Sequence, residues 1–304
     1  MSIALPAPRL RPHLGLVCIT RSGECRYRTI TRSRFLSLGT RQRRIALTQL
    51  YWENLGRLHW AVTFCRRKGI RLYRVTSGLF PMSDEPLGEG LLRGMWANLS
   101  SVGRRVERLG VRVLGHPDQF VVLNSESAAV ARTSRKIMDK HALSFDLLGL
   151  PRSPWSALIL HGGKAGRGDQ LVAAVRDLPD AVRSRLVLEN DEYAYGAEEI
   201  LDVCRRAGVP MVFDAHHHVV KEKLDSYEHP SVRRLTEAAR ATWPDPAWQI
   251  VHLSNGKGGF ADRNHSDFIT HVPTAFASAP WIEVEAGAKD HAIERLRAAW
   301  PAAD

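Results

Sequence analysis

The amino-acid sequence predicts a (β/α)8 barrel, the TIM-barrel fold, on two observations. Short apolar runs alternate with segments of helical periodicity along the chain, which is typical of a parallel sheet with helical crossovers. The runs are almost continuously apolar, as expected of strands covered on both faces. Eight such units in 304 residues fit one closed barrel better than an open sheet, so we expect a single domain over residues 1–304.

The elements follow one another in strict alternation. The predicted strands are 13–18, 70–76, 111–116, 156–162, 185–191, 209–216, 248–254 and 281–286. The predicted helices are 46–68, 91–109, 126–148, 168–183, 197–207, 230–242 and 288–299. The basic segment 21–44 is the least regular part of the chain, and we expect a long loop and a short helix there.

Composition narrows the class of protein. The chain has 43 Lys and Arg against 32 Asp and Glu, a formal charge of +11. This charge favours a polyanionic partner such as nucleic acid. The alternative is that it only reflects a high-GC genome, which favours arginine codons. No apolar run reaches the ~18 residues of a membrane span and no signal peptide is evident, so we expect a soluble cytoplasmic protein. The four cysteines form no CxxC pair, which argues against disulfides and a zinc ribbon.

Acidic and imidazole side chains follow six of the predicted strands. In a parallel barrel all strand C-termini lie at one rim, so these side chains are expected to converge into a metal cluster there. His, Asp and Glu without Cys suit Mn²⁺, Zn²⁺ or Fe²⁺, and two or three such ions can clamp a phosphate and activate water. The strand-end residues are His116, His161, Glu189, Asp214 with the histidines 216–218, His252 and Glu285.

Each of these residues also has a structural interpretation. His116 and His161 are each compatible with a satisfied structural histidine, Glu189 with a helix cap, and Asp214 with an N-cap or an ion pair. Among the three consecutive histidines we expect one ligand with supporting neighbours. The recurrence at six strand ends favours metal binding. His265, beside Asp267 in the sequence, is a further candidate.

A series of segments in fixed order carries a family resemblance. They are YRVTSGLFP (73–81), HPDQFVVLNS (116–125), ILHGG (159–163), LVLENDE (186–192), FDAHHH (213–218), VHLSNG (251–256), HSDF (265–268) and VEAGAKD (284–290). Over about residues 13–295 the sequence resembles the UV damage endonuclease family. The resemblance implies a TIM barrel related to the endonuclease IV type, two or three metal ions usually described as manganese, and incision of DNA immediately 5′ to UV photoproducts.

The resemblance also assigns residues. It implies eight metal ligands, of which Glu189, His252 and Glu285 are given the catalytic role. The implied ligands are His116, His161, Glu189, Asp214, His217, His252, His265 and Glu285. Gln119 and Phe120 match the pair that probes the distorted base stack. An exposed aromatic beside an amide independently suits insertion into a duplex, although Phe120 also begins an apolar run and is compatible with a core position.

Two departures from the family pattern stand out. The family has a histidine shortly after its RxSSxLFP motif, and the equivalent position in this chain is Asp84 or Glu85. Two family lysines are replaced by Ile250 and Gly287, and we expect Lys257 or Lys289 to supply the missing charge.

The expected partner is double-stranded DNA that contains UV lesions, in the bacterial cytoplasm at the nucleoid, with no membrane or obligate protein partner. Basic residues expected to contact phosphates are Arg74, Lys164, Lys221, Lys223, Lys257 and Arg263. Three alternatives remain: an apurinic endonuclease with the same metals, a metal-dependent sugar isomerase, and a DNA-binding protein whose site has decayed. The positive charge and the HPDQF loop disfavour the isomerase, because a neutral sugar gains nothing from a basic rim.

Overall fold

A computed structural model of the chain describes residues 12–23 and 25–300. Eight parallel strands form one closed barrel in the order β1 to β8, which confirms the predicted fold. The strands are β1 His13–Val17, β2 Leu72–Val75, β3 Arg112–Gly115, β4 Leu158–His161, β5 Leu186–Glu189, β6 Met211–Asp214, β7 Ile250–Leu253 and β8 Trp281–Val284. The outermost parts of the predicted domain, residues 1–11 and 301–304, and Glu24 in the basic segment lie outside the described residues.

Helices surround the barrel, and their apolar faces cover the outside of the strands. They are α1 Arg32–Leu36, α2 Thr40–Arg67, α3 Pro86–Gly94, α4 Trp96–Leu109, α5 Ala128–Leu148, α6 Gly168–Arg176, α7 Asp180–Arg183, α8 Ala197–Ala207, α9 Ala215–Lys221, α10 Pro230–Arg240 and α11 Asp290–Ala299. Three short 3-10 helices lie at Pro154–Ser156, Pro246–Trp248 and Thr274–Ser278. Burial of these faces provides most of the driving force for folding.

The structure corrects several predicted boundaries. The helix predicted at 168–183 is two helices, because Pro179 precedes the first residue of α7 and interrupts the run. The predicted helix 91–109 is also two, α3 and α4, and α3 begins earlier, at Pro86, since proline is favoured in the first turn. The strand predicted at 209–216 ends at Asp214, whose side chain caps α9 by accepting from the His217 N–H at 2.8 Å.

The N-terminal end of the barrel is closed by a buried arginine in a tryptophan cluster. Arg112, at the start of β3, is 1 % exposed, and its guanidinium donates to three backbone carbonyls, those of Pro154, Trp155 and Trp248. Its guanidinium carbon lies 4.6 Å from the centre of the Trp155 ring. This end is filled with side chains, so a site for a large substrate is available at the opposite, C-terminal rim.

Packing between α4 and α5 depends on a glycine. A Cβ at Gly103 would lie 1.6 Å from the Leu148 carbonyl oxygen, whereas a Cβ at Gly56 in α2 meets nothing within 4 Å. We expect Gly103→Ala to lower the free energy of unfolding by about 1–3 kcal/mol or more through overpacking. Gly56→Ala is the matched control and should stabilise slightly through helix propensity. Urea unfolding of both variants tests this, and equal stabilities would contradict the packing.

None of the helices in the described part of the chain combines the length and apolar character that a bilayer crossing requires.

Candidate metal centre

The predicted strand-end side chains meet at the C-terminal rim because the strands are in register there. His161 at the end of β4 pairs with Glu189 at the end of β5, and Asp214 at the end of β6 pairs with His252 in β7. Adjacent parallel strands lie about 4.8 Å apart, so residues in register on the same face are direct neighbours. The barrel thus brings together side chains that are far apart in the sequence, since His116 and Glu285 are separated by 169 positions.

Three overlapping groups of potential ligands lie at this rim. In each group the ligand atoms are within 4.8 Å of one another. The groups are His116, His161 and Glu189; Glu189, Asp214 and His217; and Asp214, His252 and Glu285. Because Glu189 and Asp214 each belong to two groups, the arrangement has the form of a chain of linked sites, suited to ions bridged by shared carboxylates.

Glu189 is the centre of this arrangement. It is 1 % exposed, and its two carboxylate oxygens face different imidazoles, His116 Nε2 at 3.1 Å and His252 Nδ1 at 2.8 Å. Burial alone would raise the pKa of Glu189, but the neighbouring imidazoles, His252 foremost, hold it well below the ordinary value. The carboxylate therefore stays ionised, as a metal ligand must be.

The three consecutive histidines point in different directions because they lie in α9, where successive side chains are about 100° apart. His216 bonds to the Tyr227 hydroxyl and to the Asp262 carbonyl, each at 2.8 Å. His218 bonds to Ser231 Oγ at 2.8 Å. Of the three, His217 alone belongs to a ligand group. The other two attach α9 to its surroundings, which accounts for their burial.

Strong negative charge surrounds His217. Its imidazole lies 3.5 Å from a Glu189 oxygen and 3.6 Å from a Glu192 oxygen. Burial lowers the pKa of His217, but the carboxylates, with Asp214 the largest contributor, outweigh burial and raise it to about 9. A proton on this imidazole compensates the carboxylates, and a divalent cation would do so more completely.

The donor set fits divalent ions. Asp214 Oδ1 caps α9, whereas Asp214 Oδ2 is buried without a hydrogen-bond partner, and so is His161 Nδ1. Unpaired buried polar atoms are costly, and coordination to a cation satisfies them. Carboxylate and imidazole donors without thiolates suit Mn²⁺, Zn²⁺ or Fe²⁺.

His265 lies beside the centre rather than within the three groups. Its Nδ1 is 3.5 Å from a Glu285 oxygen, and its ring centre is 6.0 Å from that of His217. A backbone bridge between Gly256 and His265 holds the loop that carries it. His265 is thus positioned to complete an outer site next to His217 and Glu285.

Glu283 is a further residue at the centre, which the strand-end pattern in the sequence does not single out. Its side chain is fully buried in β8 and contacts His252 Nε2 at 3.2 Å, while His252 Nδ1 faces Glu189. A carboxylate behind a ligand imidazole fixes the ring and its tautomer. Side chains alternate along a strand, so Glu283 shares the inward face of Glu285, and this spacing of two was the available signal.

Arg74, which the sequence predicts to contact DNA phosphates, lies between two carboxylates of the centre. Its side chain is 10 % exposed, and its guanidinium binds Glu283 Oε1 and Glu285 Oε1, each at 2.7 Å. These carboxylates outweigh the burial of Arg74 and raise its pKa. Arg74 therefore compensates two carboxylates, and it also lines the cleft above the ligand groups. Its contact with a DNA phosphate stays a prediction.

The departures from the family pattern have local explanations. Asp84 and Glu85 form ion pairs with Arg32 in α1 and belong to none of the three ligand groups. A Cβ on Gly287 would lie 2.3 Å from Asp267 Oδ1, so a lysine at 287 would displace that aspartate. Ile250 packs in the apolar cluster at the closed end of the barrel.

A cleft of about 560 Å³ opens above the ligand groups. Gln119 and Arg263 line it. Phe120, beside Gln119, is 65 % exposed, whereas Val121 and Leu123 of the same run are buried, so Phe120 is not a core residue. Ser77 Oγ donates to Asp118 Oδ1 at 2.6 Å and fastens this loop. Lys257 is exposed on the loop after β7.

These features define a class: a TIM barrel whose C-terminal rim carries linked carboxylate and imidazole groups able to hold metal ions. Residues 12–302 match the family described as UV-endonuclease UvdE. The chain is 51 % identical to the UV DNA damage endonuclease of Nostoc sp. over 95 % of this chain and 91 % of the relative. It is 50 % identical to that of Deinococcus radiodurans over 94 % of this chain and 95 % of the relative. The crystal structure of SacUVDE superimposes with a TM-score of 0.78 at 23 % identity, over 95 % of this chain and 99 % of that one.

The chain belongs to the UV-endonuclease family and is an endonuclease.

Proposed function

We propose that this endonuclease incises double-stranded DNA immediately 5′ to UV photoproducts and leaves a 3′-hydroxyl and a 5′-phosphate. The observation that carries the proposal is the chain of three ligand groups under a cleft lined by Gln119 and Arg263. The names of the relatives support UV-damaged DNA as the substrate. The same substrate implies that it acts on chromosomal DNA, at the nucleoid of a bacterial cell.

Two or three divalent ions, with Mn²⁺ as the first candidate, would supply Lewis-acid stabilisation of the phosphate and a water with a lowered pKa. His116, His161, Asp214, His217 and His265 are proposed as ligands. Glu189, His252 and Glu285 are proposed both as ligands and as the residues nearest the reaction. The ionised carboxylates of Glu189 and Glu285 would hold the ions, and Glu283 is proposed to keep His252 oriented through its Nε2.

Lesion recognition in this proposal depends on how easily the DNA deforms. A photoproduct weakens stacking, so kinking and flipping cost less than the few kcal/mol required in intact duplex. Phe120 is exposed on the loop that the Ser77–Asp118 hydrogen bond holds in place. Its ring is proposed to fill the gap left by displaced bases, with the Gln119 amide beside it. Lys257 and Arg263 are exposed on the rim and are proposed to bind backbone phosphates.

Nicking of three matched duplexes tests the proposal. We expect irradiated DNA to be cut with Mn²⁺, undamaged DNA to remain intact, and chelator to abolish cutting, because phosphoester hydrolysis at this site requires the ions. The third duplex carries a single abasic site. Cutting of the abasic duplex alone would favour an apurinic endonuclease. Tight binding without cutting of any duplex would favour a DNA-binding protein with a decayed site.

A further inference from the structure

A second exposed aromatic residue lies at the rim, away from the Phe120 loop. Tyr193 is in the loop between β5 and α8, two strands further round the barrel, and is 65 % exposed, the same fraction as Phe120. It lines the cleft above the metal centre. None of the interactions described above uses its ring.

The loop that carries Tyr193 is held in place by hydrogen bonds. Asp191 Oδ1 accepts from the backbone N–H groups of Tyr193 at 2.7 Å and Tyr195 at 3.3 Å, and also from that of Ala194. Lys221 Nζ donates to the Tyr193 carbonyl at 2.8 Å. An aromatic ring on an ordered loop binds a ligand with a small loss of conformational entropy.

Arg263 extends from a different loop onto the Tyr193 ring. Its guanidinium carbon lies 4.6 Å from the ring centre, and both side chains line the cleft. The loop of Arg263 is fastened by His216, whose Nε2 donates to the Asp262 carbonyl at 2.8 Å. The guanidinium covers one face of the ring, and the exposure of Tyr193 leaves the other face accessible.

The residue before Tyr193 contacts the metal centre. A Glu192 carboxylate oxygen lies 3.6 Å from His217 Nε2. A group stacked on Tyr193 would therefore be held within a short distance of the ligand groups. This placement is suited to the nucleotide next to the reacting phosphate.

We propose that Tyr193, backed by Arg263, is a stacking platform for an unstacked DNA base, distinct from the Gln119–Phe120 wedge. The free face of the ring takes the base, and the guanidinium on the other face strengthens the stack and adds positive charge beside the DNA backbone. The inference rests on the proposed function, since it takes DNA as the ligand. Tyr193 is a positioning residue for the substrate and takes no part in bond breaking.

Fluorescence anisotropy in the presence of chelator measures DNA affinity without cutting. We expect Tyr193→Ala to weaken binding of an irradiated duplex by roughly tenfold or more, and to weaken binding of an undamaged duplex less. Tyr193→Phe retains the ring and should stay within about twofold of wild type. Trp52→Ala removes an aromatic that is 49 % exposed on α2, outside the cleft, and serves as the matched control. Thermal unfolding and metal content should match wild type in every variant.

The outcomes separate this inference from the proposed function. Suppose that the wild-type protein binds irradiated or abasic duplex more tightly than undamaged duplex. If the affinity of Tyr193→Ala for that damaged duplex is then within twofold of wild type, the platform alone is overturned. An equal loss in Tyr193→Phe would also overturn it, because the hydroxyl and not the ring would then carry the contact. A wild-type protein that binds no duplex would overturn the proposed function and the platform together.

Discussion

Replacing Glu189 with glutamine is expected to reduce incision of irradiated DNA by roughly a thousandfold or more. Glu189 belongs to two of the three ligand groups and is within 3.1 Å of both His116 and His252. Glutamine has nearly the same shape but lacks the negative charge that would hold the cations. Single-turnover nicking with saturating Mn²⁺ measures the loss.

DNA affinity should change little in Glu189→Gln, since the carboxylate is 1 % exposed below the cleft. Glu237→Gln is the matched control, because Glu237 is exposed on α10, outside the cleft and outside the three ligand groups. Its incision rate should fall much less. Wild-type turnover in Glu189→Gln would remove Glu189 from the metal centre.

Replacing Arg74 with methionine is expected to lower the free energy of unfolding by roughly 3–5 kcal/mol. The guanidinium is buried between Glu283 and Glu285, and its loss leaves Glu283, which has no exposed surface, with one cationic neighbour fewer beside His252. Removing one partner of a buried ion pair costs far more than removing a surface charge, for which the median is near 0–1 kcal/mol. Urea unfolding measures the difference.

The control for Arg74→Met is Arg263→Met, which removes an exposed arginine from the same rim. It should leave stability within about 0.5 kcal/mol of wild type and reduce DNA affinity. The opposite pattern would favour Arg74 as a DNA contact over its role as a buried ion-pair partner. In that case Arg74→Met would be as stable as wild type, but its DNA affinity would be lower and less dependent on salt.

Much of the fold and of the ligand set was predictable from the sequence, because both depend on regular periodicity. Strand ends in a parallel barrel share one rim, so Glu189, Asp214 and His252 could be assigned to one place before any coordinates. Glu283 was missed because attention was on the residues that follow each strand. It lies within the strand, two residues before Glu285, on the same face.

Other features depend on contacts that periodicity does not contain. Arg74 is in β2, whereas Glu283 is in β8 and Glu285 directly follows it, two strands away in the barrel, so this pairing cannot be seen in a linear sequence. The exposure of Phe120 depends on Val121 and Leu123 turning to the core. Tyr193 and Arg263 are in contact although they lie in different loops, 70 positions apart in the sequence.

The central claim is that carboxylates and imidazoles from separate strands hold divalent ions that the reaction requires. Elemental analysis by mass spectrometry of dialysed protein, assayed for nicking in the same sample, tests it most directly. We predict two or three divalent ions per chain, fewer in Glu189→Gln, and loss of nicking in proportion to loss of metal. A metal-free protein that still cuts irradiated DNA at the wild-type rate would contradict the claim.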